Sequence, residues 1–192
     1  MLTISIISHG QGHLVHGVLA DLSQFFGVIN FHVILTINIP EALPFKADDF
    51  LFPLTIVENQ FPKGFGANHN SAFMLSSGDF FCILNPDIRM TMNPFPGLVH
   101  LALGNNIGVV APVVVNAYGQ REDSARRFPS PWELIRKVFG GKSAIWSEHG
   151  PVSHPDWIAG MFMLFQRNIF KKLHGFDERY FLYYEDVDLC AR

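Results

Sequence analysis

Charge, cysteine and long apolar runs are all scarce in this 192-residue chain, and each scarcity excludes a class of function. Charged residues make up 16% and the formal net charge is −3. With no basic excess and no Lys/Arg cluster, the chain lacks the electrostatic footprint of a nucleic-acid binder. The only two cysteines, Cys82 and Cys190, lie in or beside apolar runs, so buried free thiols are expected, not a disulfide. A reducing, cytoplasmic setting follows from that reading. No stretch approaches the roughly 18 apolar residues of a membrane-spanning helix. Met1–Ser8 has no basic leader and runs into His9-Gly10-Gln11-Gly12, which reads as a strand and turn and not as a signal peptide. There is no P-loop, no Cys-x-x-Cys and no His-Glu-x-x-His, and the nine histidines show no ligand spacing.

What is present is apolar: 48% hydrophobic residues, with 19 Phe against 4 Tyr, which points to a Phe-rich interior and an apolar surface facing a partner or membrane. The length suits one domain with a substantial core. Phe80-Phe81-Cys82-Ile83-Leu84 is a continuous apolar run that stops at Asn85-Pro86-Asp87. A run without alternation predicts a strand buried on both faces of a parallel α/β sheet. Asp87 would then stand just past its carboxyl end, where such sheets hold ligands. Further strands are predicted over Leu2–Ser8, Phe31–Ile37, Leu54–Glu58, Ile107–Val115 and Trp157–Phe165, and helices over Leu14–Phe26, Asn70–Ser77, Pro94–Leu103, Pro131–Phe139 and Asn168–Leu173. The alternation predicts a three-layer α/β/α domain with a mostly parallel central sheet.

Three constellations could carry chemistry. Asp87 can ligate a hard divalent ion completed by phosphate oxygens, although Asn-Pro-Asp alone favours a plain capping turn. Glu185-Asp186-Val187-Asp188 places three carboxylates within four residues. They can serve the dipole of a helix starting there, or one can act as a general base. Lys63 to Asn70 is a Gly-containing loop opening a helix, a weak anion-binding signal without a third glycine.

The order of these pieces is more specific than any one of them. Asn59, then Gly64-Phe65-Gly66-Ala67-Asn68-His69-Asn70, Leu84-Asn85-Pro86-Asp87, Trp157-Ile158-Ala159-Gly160, Gly175-Phe176-Asp177-Glu178 and Phe181 to Cys190 together resemble the rhamnosyltransferase-like branch of family 2 inverting glycosyltransferases. The resemblance covers nearly the whole chain and implies the GT-A fold in a single domain. About residues 1–115 would form the nucleotide-sugar-binding half and about 116–192 the acceptor half. It implies Asp87 as the carboxylate that binds Mg²⁺ or Mn²⁺, Asp186 as the general base and Glu185 as its support. Ser8, Asn38, Asn59, Gly64, Asn70, Asn85 and Asp87 would contact the nucleotide-sugar. Asp156, Trp157, Gly160 and Arg126 would line the sugar and acceptor pocket. The implied partners are a dTDP- or UDP-linked sugar donor and a saccharide or lipid-linked saccharide acceptor, with no nucleic acid. Membrane association at the cytoplasmic face of the inner membrane and a homodimer complete the expectations.

Two departures stand out. Where such enzymes commonly carry Tyr-Asn after the first strand, this chain has Ser8-His9-Gly10; where the second strand commonly ends in Asp-Asn, it has Thr36-Ile37-Asn38. The acid that often reads a pyrimidine is absent, which leaves Asn38 or backbone for that task. Relatives also continue past the position of Arg192, so a truncated acceptor half is expected, with a catalytically incomplete nucleotide-sugar-binding fragment as the alternative reading. A nucleotidyltransferase is a third, served poorly by Gly10-Gln11-Gly12-His13.

Overall fold

A computed structural model describes residues 1–128 and 152–192. The helix expected at 131–139 lies outside the described residues. Strands β1 (Leu2–Ser8), β2 (Phe31–Ile37), β3 (Leu54–Glu58), β4 (Phe80–Leu84) and β7 (Phe162–Gln166) form one sheet in the order β3-β2-β1-β4-β7. The first four are mutually parallel, and β7 runs antiparallel to β4. Short strands β5 (Ala125–Arg126) and β6 (Trp157–Ile158) pair separately.

Alternation along the strands sorts side chains into two cores. Cys82 and Leu84 face one way, with Ile4, Ile6, Val33 and Leu35, and meet Val15, Val18, Leu19 and Leu22 of α1 (Gly12–Ser23) and Phe95 and Leu98 of α3 (Phe95–Ala102). Phe81 and Ile83 face the other way and meet Ala72 and Phe73 of α2 (Phe65–Leu75), Phe170 of α4 (Arg167–Lys172) and Leu189 of α5 (Glu185–Ala191). This is the expected α/β/α sandwich with a mostly parallel sheet. Phenylalanine fills it: Phe73, Phe81, Phe165 and Phe170 pack with ring centroids 4.9–5.2 Å apart. Cys82 is buried and Cys190 half-buried, both as free thiols.

Three expected elements differ. The run 107–115 is not a strand: Val110 makes an isolated antiparallel bridge with Leu164, and Val115 another with Arg121. Pro112, two residues on, removes a donor and ends the pairing. The stretch 157–165 is broken at Ala159–Met161, so Trp157 and Ile158 join β5 while Phe162 onward joins the main sheet. Helix α2 starts at Phe65, five residues before the position read from the sequence.

The order β3-β2-β1-β4 makes the gap between β1 and β4 the point where the chain reverses its direction of winding. Open α/β sheets bind ligands outside the strands' carboxyl ends at such a point. Ser8 and His9 flank it on one side, Asn85 to Asp87 on the other.

Candidate active site

Asp87 is exposed, and its carboxylate has no partner among the described residues. The turn that presents it is anchored from behind. Buried Asp21 on α1 accepts from Arg89 Nε at 2.8 Å and from the Met90 N–H at 2.9 Å. The Arg89 guanidinium holds the Asp21 carboxyl below its ordinary range, against the opposing pull of burial. Neither residue was singled out in the sequence; an Asp on the apolar face of a helix was the available signal.

Antiparallel β7 begins where β4 ends, and the Asn85 N–H bonds Met161 O at 2.9 Å. One residue earlier, the Gly160 N–H donates to Asp186 Oδ2 at 3.0 Å, while the Val187 N–H holds Oδ1 at 2.8 Å. Asp87 in β4's carboxyl turn and Asp186 in the first turn of α5 are thereby brought to the same end of the sheet. A Cβ at Gly160 would lie 3.1 Å from the Phe65 ring, so this glycine allows the close approach.

Glu185 points inward. It is 5% exposed, its Oε2 has no hydrogen-bond partner, and burial, helped by the charge of Asp186, pushes its carboxyl above the usual range. Asp188 pairs with Arg192 at 2.9 Å. Asp186 and Asp188 are both half-buried, but only Asp186 is held by the Gly160 N–H beside the start of β7. Beside it, Arg126 lies over the Trp157 ring at 5.4 Å and is bound by Asp123, Nε to Oδ1 at 2.7 Å. That hydrogen bond, and further off the Asp186 charge, raise the Arg126 guanidinium's proton affinity. Asp156 is exposed and accepts from the Phe128 N–H at 2.8 Å, alongside the β5–β6 pair.

On the β1–β3 side, several residues expected to contact a ligand make hydrogen bonds or close contacts within the protein. Ser8 Oγ accepts from the Gln11 N–H at 3.1 Å, closing the turn into α1. Asn70 clamps the Phe176 backbone, donating to its O and accepting from its N–H, both at 2.9 Å. Gly64 lies under the backbone of Phe181, whose O would be 2.6 Å from an added Cβ and accepts the Phe65 N–H at 3.0 Å. The Gly-x-Gly loop is thus a packing surface for the segment leading to Glu185, and the first amide of α2 is already used.

Asn38 is the most fully used. Its Oδ1 accepts from Asn59 Nδ2 (2.9 Å) and the Lys63 N–H (2.8 Å), and its Nδ2 donates to Lys63 O and His9 Nδ1, both at 3.0 Å. Two lone pairs and two N–H groups are all a carboxamide offers, so no group remains for a base. Asn59 also donates to Asn68 Oδ1 at 2.7 Å, and buried Asn68 returns to Lys63 O and Gly64 O. Asn68, present in the motif, was not among the expected site residues because Lys63 to Asn70 reads as a loop opening a helix. A cavity of about 430 Å³, lined by Glu58, Asn59, Phe61 and Lys63 among others, opens beside this network at the end of β3. Another, of about 380 Å³, lies between α2 and α4, lined by residues that include Ser71, Lys171 and Glu178.

The loop Gly10-Gln11-Gly12 does not offer a phosphate cradle. Glu41 occupies it, accepting from the Gly10 N–H at 3.2 Å and the Gly12 N–H at 2.8 Å. The nucleotidyltransferase alternative loses its anion site on that ground. Among the described residues, no three His, Cys, Asp or Glu side chains come together as a metal cage. A Mg²⁺-type ion does not require one, since it binds through one or two carboxylates with waters and substrate phosphates. Asp87, open and unpaired at the edge, fits that mode. No helix among the described residues is long and apolar enough to cross a membrane.

No family model matches the chain. Rhamnosyltransferase WbbL of Escherichia coli K12 is 26% identical over 208 aligned residues, covering all of this chain and 76% of that protein. The N-acetylglucosaminyl-diphospho-decaprenol L-rhamnosyltransferase of Mycobacterium tuberculosis is 32% identical over 131 residues, covering 59% of this chain and 41% of that protein. Among solved structures, the Pyrobaculum calidifontis mannosyltransferase PcManGT, in complex with GDP-Man and Mn²⁺, superposes with TM-score 0.58 at 14% identity, over 92% of this chain and 47% of that one. S. aureus TarS 1-349 with UDP gives TM-score 0.62 at 12% identity, over 98% and 53%. The chain thus spans about half the length of these solved neighbours. Fold and sequence likeness agree: the chain has the GT-A fold of these glycosyltransferases and is similar in sequence to rhamnosyltransferases.

Proposed function

We propose that this chain is the donor-binding and catalytic part of an inverting family 2 glycosyltransferase. It would move rhamnose, or a related sugar, from a dTDP- or UDP-linked donor to a saccharide or lipid-linked saccharide acceptor. The observation that carries the reading is the pairing of an open Asp87 at the end of β4 with Asp186, held by the Gly160 N–H, at the same end of the sheet. Supporting it are the rhamnosyltransferase names of the relatives, one of which acts on a lipid-linked sugar. The nucleotide-sugar or UDP bound in the structural neighbours points the same way.

In this reading the acceptor hydroxyl oxygen attacks the anomeric carbon from the face opposite the diphosphate. The carbon–oxygen bond to the diphosphate breaks as the new one forms, and the hydroxyl proton passes to Asp186. The two backbone N–H bonds fix the Asp186 carboxylate in place before reaction, which is the positional requirement on a general base. Glu185, buried beneath it, anchors the start of α5. Asp87 would hold a divalent cation, which when bound offsets the charge of the departing diphosphate. Trp157 and Arg126 would wall the sugar side.

Asp186→Asn keeps the shape and removes the proton acceptor. Transfer measured with a radiolabelled donor should fall by about a hundredfold or more, while donor affinity measured by calorimetry stays within about twofold of the parent. Undiminished turnover in the variant would remove Asp186 from the role of base.

A further inference from the structure

The hydrogen bonds around Asn38 determine which nitrogen of His9 carries its proton. The Lys63 backbone fixes the carboxamide's orientation, because the Lys63 N–H can only donate and its O can only accept. The side-chain nitrogen facing His9 must therefore be Nδ2, a donor, and His9 Nδ1 must accept from it at 3.0 Å. A neutral imidazole that accepts at Nδ1 carries its hydrogen at Nε2. His9 is exposed, immediately past the carboxyl end of β1. The network thus presents one oriented N–H at the ligand edge of the sheet.

The sheet order says what part of a donor would meet it. Across the edge stand β7 with Gly160 and Asp186, then β4 with Asp87, then β1 with His9, then β2 and β3. A nucleotide-sugar with its sugar near Asp186 and its diphosphate near Asp87 extends its nucleoside over β1 to β3. There the 430 Å³ cavity opens, with Phe61 77% exposed on its wall and Asn59 and Lys63 tying it to Asn38.

We propose that His9 is a base-selecting residue whose Nε2–H donates to the exocyclic carbonyl of a keto base, O4 of uracil or thymine or O6 of guanine, with Asn38 as its positioning residue. Cytosine and adenine present an amino group at that place, so donor would face donor and be rejected. The inference rests on the glycosyltransferase reading above.

The test is calorimetric titration of UDP, dTDP, GDP, CDP and ADP in Mn²⁺ against the parent chain, His9→Ala and His9→Gln, whose side-chain amide can supply a donor near the Nε2 position. The parent should bind at least one keto-base diphosphate about tenfold more tightly than CDP and ADP, and the comparison of UDP, dTDP and GDP identifies which base it takes. His9→Ala should bring that ratio within about twofold of unity, and His9→Gln should restore part of it. An unchanged ratio in His9→Ala, with keto-base binding intact in the parent, overturns the role of His9 alone. Failure of every nucleoside diphosphate to bind the parent overturns the donor-site reading and this inference with it. The nitrogen chemical shifts of the His9 ring above neutral pH give an independent check: protonated Nε2 and bare Nδ1 are expected, and the reverse tautomer contradicts the proposal.

Discussion

At the scale of single residues, the edge of this sheet is built from amides that satisfy one another. Asn38 stands where relatives commonly carry an acid, and the sequence suggested that it takes over that acid's contact with the base. The structure gives it a different occupation, since all four of its hydrogen-bonding groups are used within the protein. A one-dimensional motif reports which residue type is present but not whether its polar atoms are already spent. Truncating Asn38 to Ala leaves the Lys63 N–H and His9 Nδ1 without their partner, while Lys63 O and Asn59 keep their bonds to Asn68; a buried group left bare costs about 1–3 kcal/mol. We expect roughly 2 kcal/mol in sum and a melting point about 4–8 °C lower by calorimetry. A drop of under two degrees would mean that water replaces the side chain and that the network is not structural.

Among the elements, β4 and its Asn85-Pro86-Asp87 turn were legible because both faces of the strand are buried and the run is unbroken. The strand expected over 107–115 was not, since β-branched residues satisfy the pattern while Pro112 and the edge position deny the ladder. A helix starting at the acidic block was legible and is present as α5, but the backbone turn leading into it was not. Tyr183 and Tyr184 both adopt left-handed backbone, φ 69° and 70°, where a glycine would be the usual marker. Helix α2 carries the clearest pH dependence. His69 is 1% exposed, its Nδ1 meets Ser5 Oγ at 2.8 Å, its Nε2 has no partner, and burial lowers its pKa to about 3. The unfolded chain binds this proton near the ordinary histidine value of 6.5 and the folded chain does not until about pH 3. Stability from this group is therefore present above pH 6.5 and lost as pH falls through that window. Glu185, with its raised carboxyl, acts in the opposite sense at the acid end. Urea midpoints measured from pH 7 to pH 4 should fall less steeply for His69→Asn than for the parent. Parallel curves would show that His69 does not remain neutral in the folded protein.

For the whole molecule, the active-site reading depends on contacts that sequence separation conceals. Asp87 and Asp186 are 99 residues apart. They share an edge because β7 pairs antiparallel with β4 and because Gly160, at the break before β7, donates its amide to Asp186. The acids themselves and the α/β/α layering were legible from the order of the motifs. The strand order, the reversal between β1 and β4, and the occupation of the Gly10–Gly12 loop by Glu41 were not, because each is a long-range pairing that no local pattern encodes. In the proposed function, Asp87 makes this edge a cation-dependent site for a nucleotide diphosphate. The most direct test is titration of the preferred nucleoside diphosphate with and without Mn²⁺, against the parent and Asp87→Ala. Binding should be at least about tenfold tighter with Mn²⁺ in the parent, and Asp87→Ala should lose that gain; equal affinity with and without the ion, or an undiminished gain in the variant, would contradict the account.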